Sequence, residues 1–399
     1  MQQKHRSIIL ILGALTALGP FSIDMYLPAF PAIASALHTD IAHVTLSLTS
    51  FFVGISVGQL LCGPLLDRFG RKKPLVIGLV VYILAAGGCA AVPSVGWLVA
   101  MRLLLALGGC VGMVAGRAVV RDVFPAQETA GVFSTLMLVM GIAPIIAPTI
   151  GGLVTACLGW RCIFIVLAAI ALLMLLAVVR YLPESKAADA GVSLRLSAVC
   201  REYGVVLQER RFVWFTLAGG AASAGMFAYI SGSPFVYMKL FGLSESQYGW
   251  AFGINALGLI AGSQVNRVLL KTYSAVQIAL ALAAILLSVS VLLVVAGWWS
   301  AQWMVMLLVW CFLLCLGFLS PNTTALALQP FTRYAGSASA LLGAIQMVAG
   351  ALASATVSML HNGTIMPMVA VMACCAAVSW LSQLMHKAQC RLLKTDTGR

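Results

Sequence analysis

Charge is scarce in this chain: only 9% of its 399 residues are Asp, Glu, Lys or Arg, against 62% that are hydrophobic. A soluble domain carries about a quarter charged residues. This chain therefore cannot cover a water-facing surface, and lipid must solvate most of it. No G-x-x-x-x-G-K-[ST] loop occurs, which excludes a P-loop ATP motor. No C-x-x-C pair and no Cys/His cluster with ligand spacing occurs, so neither a metal nor another cofactor is expected. No nucleophile, base and oxyanion set can be assembled, which argues against an enzyme. The 11 cysteines fall mostly inside apolar runs, for example Cys89, Cys110, Cys311, Cys315, Cys374 and Cys375, where they act as small hydrophobic side chains. Cys157 and Cys162 flank one loop, and the sequence leaves their pairing open.

What charge there is carries position. The net charge of +13 is not gathered into the patch that nucleic acid requires. Lys and Arg stand in short groups between apolar runs: Lys4/Arg6, Arg68 to Lys73, Arg117/Arg121, Arg180 to Arg211, Arg267/Lys271, Arg333 and Lys387 to Arg399. Alternate gaps are nearly free of them. Positive loops stay on the cytoplasmic side, so both termini are expected in the cytoplasm of a multi-pass protein of the bacterial inner membrane. Lys4, Arg6 and the small-x-small Ala34-Ser35-Ala36 imitate a signal peptide. The apolar run is too long for one, however, and Pro28 and Pro31 interrupt it before the supposed site. It is read as the first span.

At about 20 apolar residues per span, the chain fits about twelve helices, at roughly 7–30, 42–64, 74–92, 97–120, 130–156, 161–181, 212–238, 246–268, 274–297, 301–324, 336–360 and 364–386. The expected class is an all-α integral membrane protein of two six-helix, pseudo-symmetric bundles. These occupy 1–182 and 212–386, joined by a polar cytoplasmic linker over 183–211 and followed by a tail over 387–399. A faint repeat agrees: Gly63-x-x-x-Asp67-Arg68 returns as Gly262-x-x-x-Asn266-Arg267, each after the second span of its half. Two parallel halves suit a transporter that rocks about a central site.

The knot Gly63-Pro64-Leu65-Leu66-Asp67-Arg68-Phe69-Gly70-Arg71-Lys72-Lys73 resembles the loop between helices two and three of major facilitator superfamily transporters. Further motifs sharpen the resemblance: Asp24-Met25-Tyr26-Leu27-Pro28 in span one, Arg117 through Arg121, Asp122 and Phe124 closing span four, and Gly141-x-x-Pro144-x-x-x-Pro148-x-x-Gly151-Gly152 in span five. Gly159-Trp160-Arg161, Ser231-Gly232-Ser233-Pro234-Phe235-Val236-Tyr237 and Ala335-Gly336-Ser337-Ala338-Ser339-Ala340-Leu341 follow in order. Together these look like the bicyclomycin-resistance (Bcr/CflA) type of drug:proton antiporter over nearly the whole chain. One departure stands out: where that family carries Gln in Arg-x-x-Gln-Gly-x-Gly, span four here reads Arg102-Leu103-Leu104-Leu105-Ala106-Leu107-Gly108. A proton relay through that amide is therefore in doubt.

Asp24 is the only acid inside an expected span. An ionised carboxyl is costly in hydrocarbon, so a group that ionises facing water and protonates when sealed off suits a proton-coupled cycle. The alternative is a solvated cap near the outer surface. Arg102, early in span four, either faces a cavity beside Asp24, as the resemblance supports, or snorkels to the headgroups. Gly63, Asp67, Arg68, Gly70 and Arg71 form a gate or merely set topology. The resemblance implies that Asp67 docks on the start of span eleven near Gly336-Ser337, where a helix N-terminus favours a carboxylate. It also implies that the span-five motif separates antiporters from facilitators. Its glycines admit close neighbours and its prolines bend the helix. Substrate contacts are expected from Tyr26, Met113, Met140, Tyr229, Phe235, Asn255, Asn322 and Gln346, because thioethers and aromatic faces tolerate several shapes. The expected partners are a small molecule, protons and the bilayer, with no nucleic acid, and the expected state is a monomer. The expected function is a proton-driven exporter of drugs or small metabolites. A dedicated metabolite carrier of the same fold and a non-transporting receptor stand as alternatives.

Overall fold

In hydrocarbon every backbone N–H and C=O must find an internal partner, and a helix supplies one for each residue. The computed structural model describes residues 2–124, 126–189, 196–299, 301–331 and 335–396, and all regular structure among them is helical. In chain order the α-helices are α1 Gln2–Asp24, α2 Phe30–Ala36, α3 Ile41–Phe69, α4 Lys72–Ala90, α5 Val95–Val123, α6 Ala126–Leu158 and α7 Arg161–Tyr181. Then come α8 Leu196–Gln208, α9 Arg210–Ser233, α10 Glu245–Leu269, α11 Ala275–Trp298, α12 Gln302–Leu328, α13 Ala335–Met359 and α14 Met366–Asp396. Eleven spans among the described residues are long and apolar enough to cross a membrane. The twelfth expected span is α10, whose length suffices but which carries Glu245, Gln247, Asn255, Gln264 and Asn266. The chain is an all-α, twelve-helix integral membrane protein.

Three local features differ from uniform spans. The first span is broken: α1 stops at Asp24, a 3-10 turn covers Leu27–Ala29, and α2 resumes at Phe30. Pro28 has no N–H to return to the Asp24 carbonyl four residues back, so the α-helical ladder fails there. The seventh span leaves α9 through a π-helix at Pro234–Leu240. The linker, expected as polar chain, contains the amphipathic helix α8.

The chain divides into two compact units: Met1–Ala198 with Tyr237–Gly253, and Val199–Val236 with Ile254–Arg399. In the first, α5 packs against α3 and α4, α4 against α7, and α1 against α5, α6 and α7. In the second, α9 packs against α12, α13 and α14, and α11 against α12 and α14. Small residues set these contacts, as expected where packing rather than water exclusion joins helices. A Cβ at Gly54 would press on Ala106 and the Leu103 carbonyl, one at Gly78 on the Gly108 carbonyl, and one at Gly225 on Phe312. Asp40 caps α3 by accepting the His43 amide at 2.8 Å, and Ser274 with Gln277 forms a capping box on α11.

Candidate functional site

The break in the first span presents Asp24. Its side chain is 4% exposed, and among the described residues no hydrogen bond or ion pair joins it to another group. Its chain neighbours Ser22 and Tyr26, two residues to either side, belong to a set of buried polar groups that also draws on α3, α4 and α5. The Ser22 hydroxyl donates to the Leu18 carbonyl at 2.6 Å and meets the Tyr82 hydroxyl at 2.7 Å. The Tyr26 hydroxyl meets the Ser47 hydroxyl at 2.8 Å. Tyr26 itself is fully buried, edge-on to Phe30.

Arg102, 0% exposed, enters this set from α5. Its Nη1 donates to the Ser22 carbonyl at 2.9 Å. Its guanidinium lies between two aromatic faces, 4.6 Å from the Tyr26 ring centre and 4.4 Å from that of Phe51, a cation–π sandwich. Nε and Nη2 are buried without a partner among the described residues. The structure does not join Arg102 to Asp24; it joins Arg102 to the backbone two residues earlier and to the ring two residues later. Such burial also leaves no path to the headgroups. Leu105, at the Gln position of the resembled motif, is fully buried and apolar.

The span-five motif makes a backbone seam. A Cβ at Gly151 would collide with the Met25 carbonyl in the break of span one, and one at Gly152 would lie 2.8 Å from the Glu245 carbonyl at the start of α10. From the other side, a Cβ at Gly249 would sit 3.0 Å from Thr149 Cα and 3.1 Å from the Pro148 carbonyl. Pro144 and Pro148 lie inside α6, as does Gly141. Gly249 was missed by sequence reading. Its signal, a glycine facing a glycine-rich helix, shows only once the helices are paired.

The charged knot is an ion cluster. Arg71, 7% exposed, donates from Nη1 to Asp67 Oδ1 at 2.9 Å and from Nε to Asp122 Oδ2 at 2.8 Å. The head of the linker closes it. Lys186 Nζ reaches the same Asp67 Oδ1 at 2.7 Å, and the Ser185 hydroxyl reaches Asp122 Oδ2 at 3.2 Å. Glu184 Oε1 accepts the Arg71 amide at 2.6 Å. Gly70 adopts φ +82° under this carboxylate, a conformation in which a side chain is strained. Outside the membrane spans, the Arg71 guanidinium keeps its proton more firmly than a free one: burial opposes this, but the hydrogen bonds to Asp122 and Asp67 outweigh it. Arg68 lies against the Phe69 ring at 5.9 Å, and a Cβ at Gly63 would meet open space. Asp67 thus pairs with Arg71 and Lys186. Ser337, near its expected dock, instead donates to Glu202 of α8 at 2.7 Å. Arg117 Nε donates to the Met113 carbonyl at 3.4 Å; the Arg121 side chain lies outside the described residues.

The expected substrate residues separate. Asn255 donates to the Tyr229 hydroxyl at 2.9 Å. Asn322 is committed elsewhere, donating to Asn266 Oδ1 at 2.7 Å and to the Phe318 carbonyl at 2.8 Å. Asn266 belongs to the second copy of the Gly63–Arg68 repeat, so an amide pair stands in α10 and α12 where an ion cluster stands in α3 and α5. Phe235 packs edge-on to His361 at 4.4 Å. Met113 abuts Gly19, while Met140 and Gln346 are half-buried. Cys157 and Cys162 are both free thiols. No group of three or more metal-ligating side chains occurs among the described residues.

Comparison with known proteins agrees with this geometry. The model of the Major Facilitator Superfamily matches residues 12–354. The chain is 35% identical over 385 residues to the uncharacterized MFS-type transporter YdgK of Bacillus subtilis, covering 95% of each. It is 32% identical over 383 residues to a bicyclomycin resistance protein homolog of Haemophilus influenzae, covering 96% of each. Among solved structures, a D-xylose-proton symporter superposes with TM-score 0.75 at 16% identity, covering 95% of this chain and 96% of that one. A twelve-helix membrane protein whose charged knot, broken first span and glycine seam all fall inside that match belongs to the Major Facilitator Superfamily and is a non-enzymatic, multi-pass transporter of small molecules.

Proposed function

We propose that this transporter is a proton-coupled antiporter that exports drugs or small metabolites by alternating access. One observation carries the reading: Asp24, a buried carboxyl without an ion partner, sits at the break of span one between Ser22 and Tyr26, the two residues that hold a buried arginine which also lacks a carboxylate. Protonated, Asp24 tolerates its apolar surroundings. Ionised, it attracts the Arg102 guanidinium, whose hold on the Ser22 carbonyl passes the change to the break. Cargo and proton then compete for one local arrangement. Similarity to a bicyclomycin resistance protein homolog supports drugs as cargo. The aromatic and amide groups at Tyr229, Asn255 and Phe235 suit an uncharged or cationic organic molecule.

Asp67 is read as half of a latch that docks on the start of α13 near Gly336 and Ser337 when the cytoplasmic side closes. The protein works as a monomer in the bacterial inner membrane with both termini in the cytoplasm, as the Lys and Arg distribution supports. The energetics suffice: a charge crossing 100 mV releases about 2.3 kcal/mol, which sustains about a fiftyfold solute gradient per proton. Efflux of a compound panel from cells, with and without a protonophore, tests the reading. Efflux that persists after the proton gradient collapses, and in Asp24→Asn, overturns it. Leu105 favours a second reading: with no amide beside Arg102, the protein is a facilitator, and cargo movement then raises no proton flux in proteoliposomes.

A further inference from the structure

Both halves of the expected latch are occupied, and by the same segment. Asp67 Oδ1 holds Lys186, and Ser337 at the start of α13 holds Glu202. Both partners lie in the linker between the sixth and seventh spans. Each contact is complete within its own compact unit. We propose that the linker is a competitor of the latch: Lys186 and Glu202 occupy its two ends in one state of the cycle and must leave both before Asp67 can dock on α13. This rests on the latch reading above.

The chemistry at the two ends supports exchange. The linker is rooted by Glu184, whose carboxylate lies on the Arg71 and Lys72 amides at the start of α4, where the exposed N–H groups and the helix dipole favour an anion. Lys72 Nζ adds a bond to the Val179 carbonyl at 2.8 Å. Lys186, two residues past the root, is held differently: it and Asp67 are each 42% exposed. Exposed pairs of this kind are weak and readily replaced. Arg71, buried and shared with Asp122, stays when Lys186 leaves. Glu202 is likewise exposed, and its acceptor role on Ser337 is one that the Asp67 carboxylate can take over. The swap conserves chemistry: a cation leaves Asp67, an anion leaves Ser337, and the freed carboxylate and helix N-terminus meet.

The test measures latch closure directly. The full-length protein carries Phe69→Cys and Gly336→Cys, both at exposed positions, with Cys200→Ser and Cys390→Ser and a protease site placed in residues 188–194. A short bis-maleimide joins the two new thiols in native membranes. After denaturation, cleavage of the linker leaves joined halves running as one band. Removing both competitors, with Lys186→Gln and Glu202→Gln together, raises the joined fraction on the order of threefold, and adding Asp67→Asn lowers it again. Lys186→Arg with Glu202→Asp keeps the charges and leaves the fraction as in the parent. An unchanged fraction in the double Gln variant, with Asp67→Asn still lowering it, overturns the competition and leaves the latch standing. Absence of joining throughout, or joining indifferent to Asp67→Asn, overturns the latch and the competition together.

Discussion

Substituting Gly151 by Ala adds one methyl group where span five meets the break of span one. That methyl would collide with the Met25 carbonyl oxygen and lie 2.9 Å from Met25 Cα. Both are backbone atoms, so no side chain can swing aside. Overpacking of this kind costs about 1–3 kcal/mol. For a unit of about 200 residues, a kilocalorie lowers a thermal midpoint by about 2–4 °C, so a drop of about 5 °C is expected in detergent-solubilised protein. The same energy weighs on the cycle. If the alternate arrangement lacks the seam, it gains about 5- to 150-fold in relative population, and uphill efflux falls while downhill exchange continues. Gly63→Ala is the internal control, because its Cβ meets open space; it leaves the thermal midpoint unchanged. A Gly151→Ala protein with parental midpoint and parental efflux refutes the seam.

Asp24→Asn abolishes the response of efflux to an imposed pH gradient but keeps cargo exchange down its own gradient, measured in proteoliposomes with a pH-sensitive dye inside. Asn322→Leu leaves the buried Asn266 amide without its partner and costs about 1–3 kcal/mol, whereas Asn266→Leu with Asn322→Leu recovers much of it; thermal midpoints of both variants check this. Glu184→Ala strips the acceptor from the Arg71 and Lys72 amides and increases protease nicking of the linker at least severalfold, while Ser185→Ala, which removes one bond to Asp122, changes it little. Tyr26→Leu removes one face of the Arg102 sandwich and costs about 2 kcal/mol, whereas Tyr26→Phe keeps the face, loses only the Ser47 bond, and stays within about 1 kcal/mol of the parent.

The spans were legible because lipid simplifies the code: long apolar runs and basic loops leave little else to choose. The one span that composition scores poorly is α10, whose Asn255 and Asn266 pair with Tyr229 and Asn322 rather than with lipid. The knot was legible as a cluster over Gly63 to Lys73, since Asp67, Arg68, Arg71, Lys72 and Lys73 are neighbouring charges in a chain with few; that Arg71 would also pair with Asp122 of α5 was not legible. Its closure by Glu184, Ser185 and Lys186 was not, because a carboxylate bonded to backbone amides leaves no pattern in side-chain identity. Helix α8 hid in a polar stretch, where amphipathic spacing is weak against the expectation of a flexible linker. The break at Asp24 was readable in part from Pro28, which removes the donor that its carbonyl needs. That Arg102 would find rings before it found Asp24 was not readable, because ring faces leave no charge signature.

A lone guanidinium inside a membrane protein carries an effective desolvation penalty of several kcal/mol. Two desolvated ring faces at about 2 kcal/mol each and one carbonyl bond to a charged group at about 1.5–3 kcal/mol offset a penalty of that size without any carboxylate. The offset is conditional. One ring, Tyr26, belongs to the segment that breaks after Asp24, and the accepted carbonyl, Ser22, belongs to the turn before it. Any motion of the break therefore uncovers Arg102 or exchanges its partners. Leu105 closes the alternative route, because an apolar side chain one turn along α5 cannot pass a proton. Under the proton-coupled reading proposed above, coupling runs through the geometry of the broken span itself, with the protonation of Asp24 deciding whether Arg102 stays between its rings.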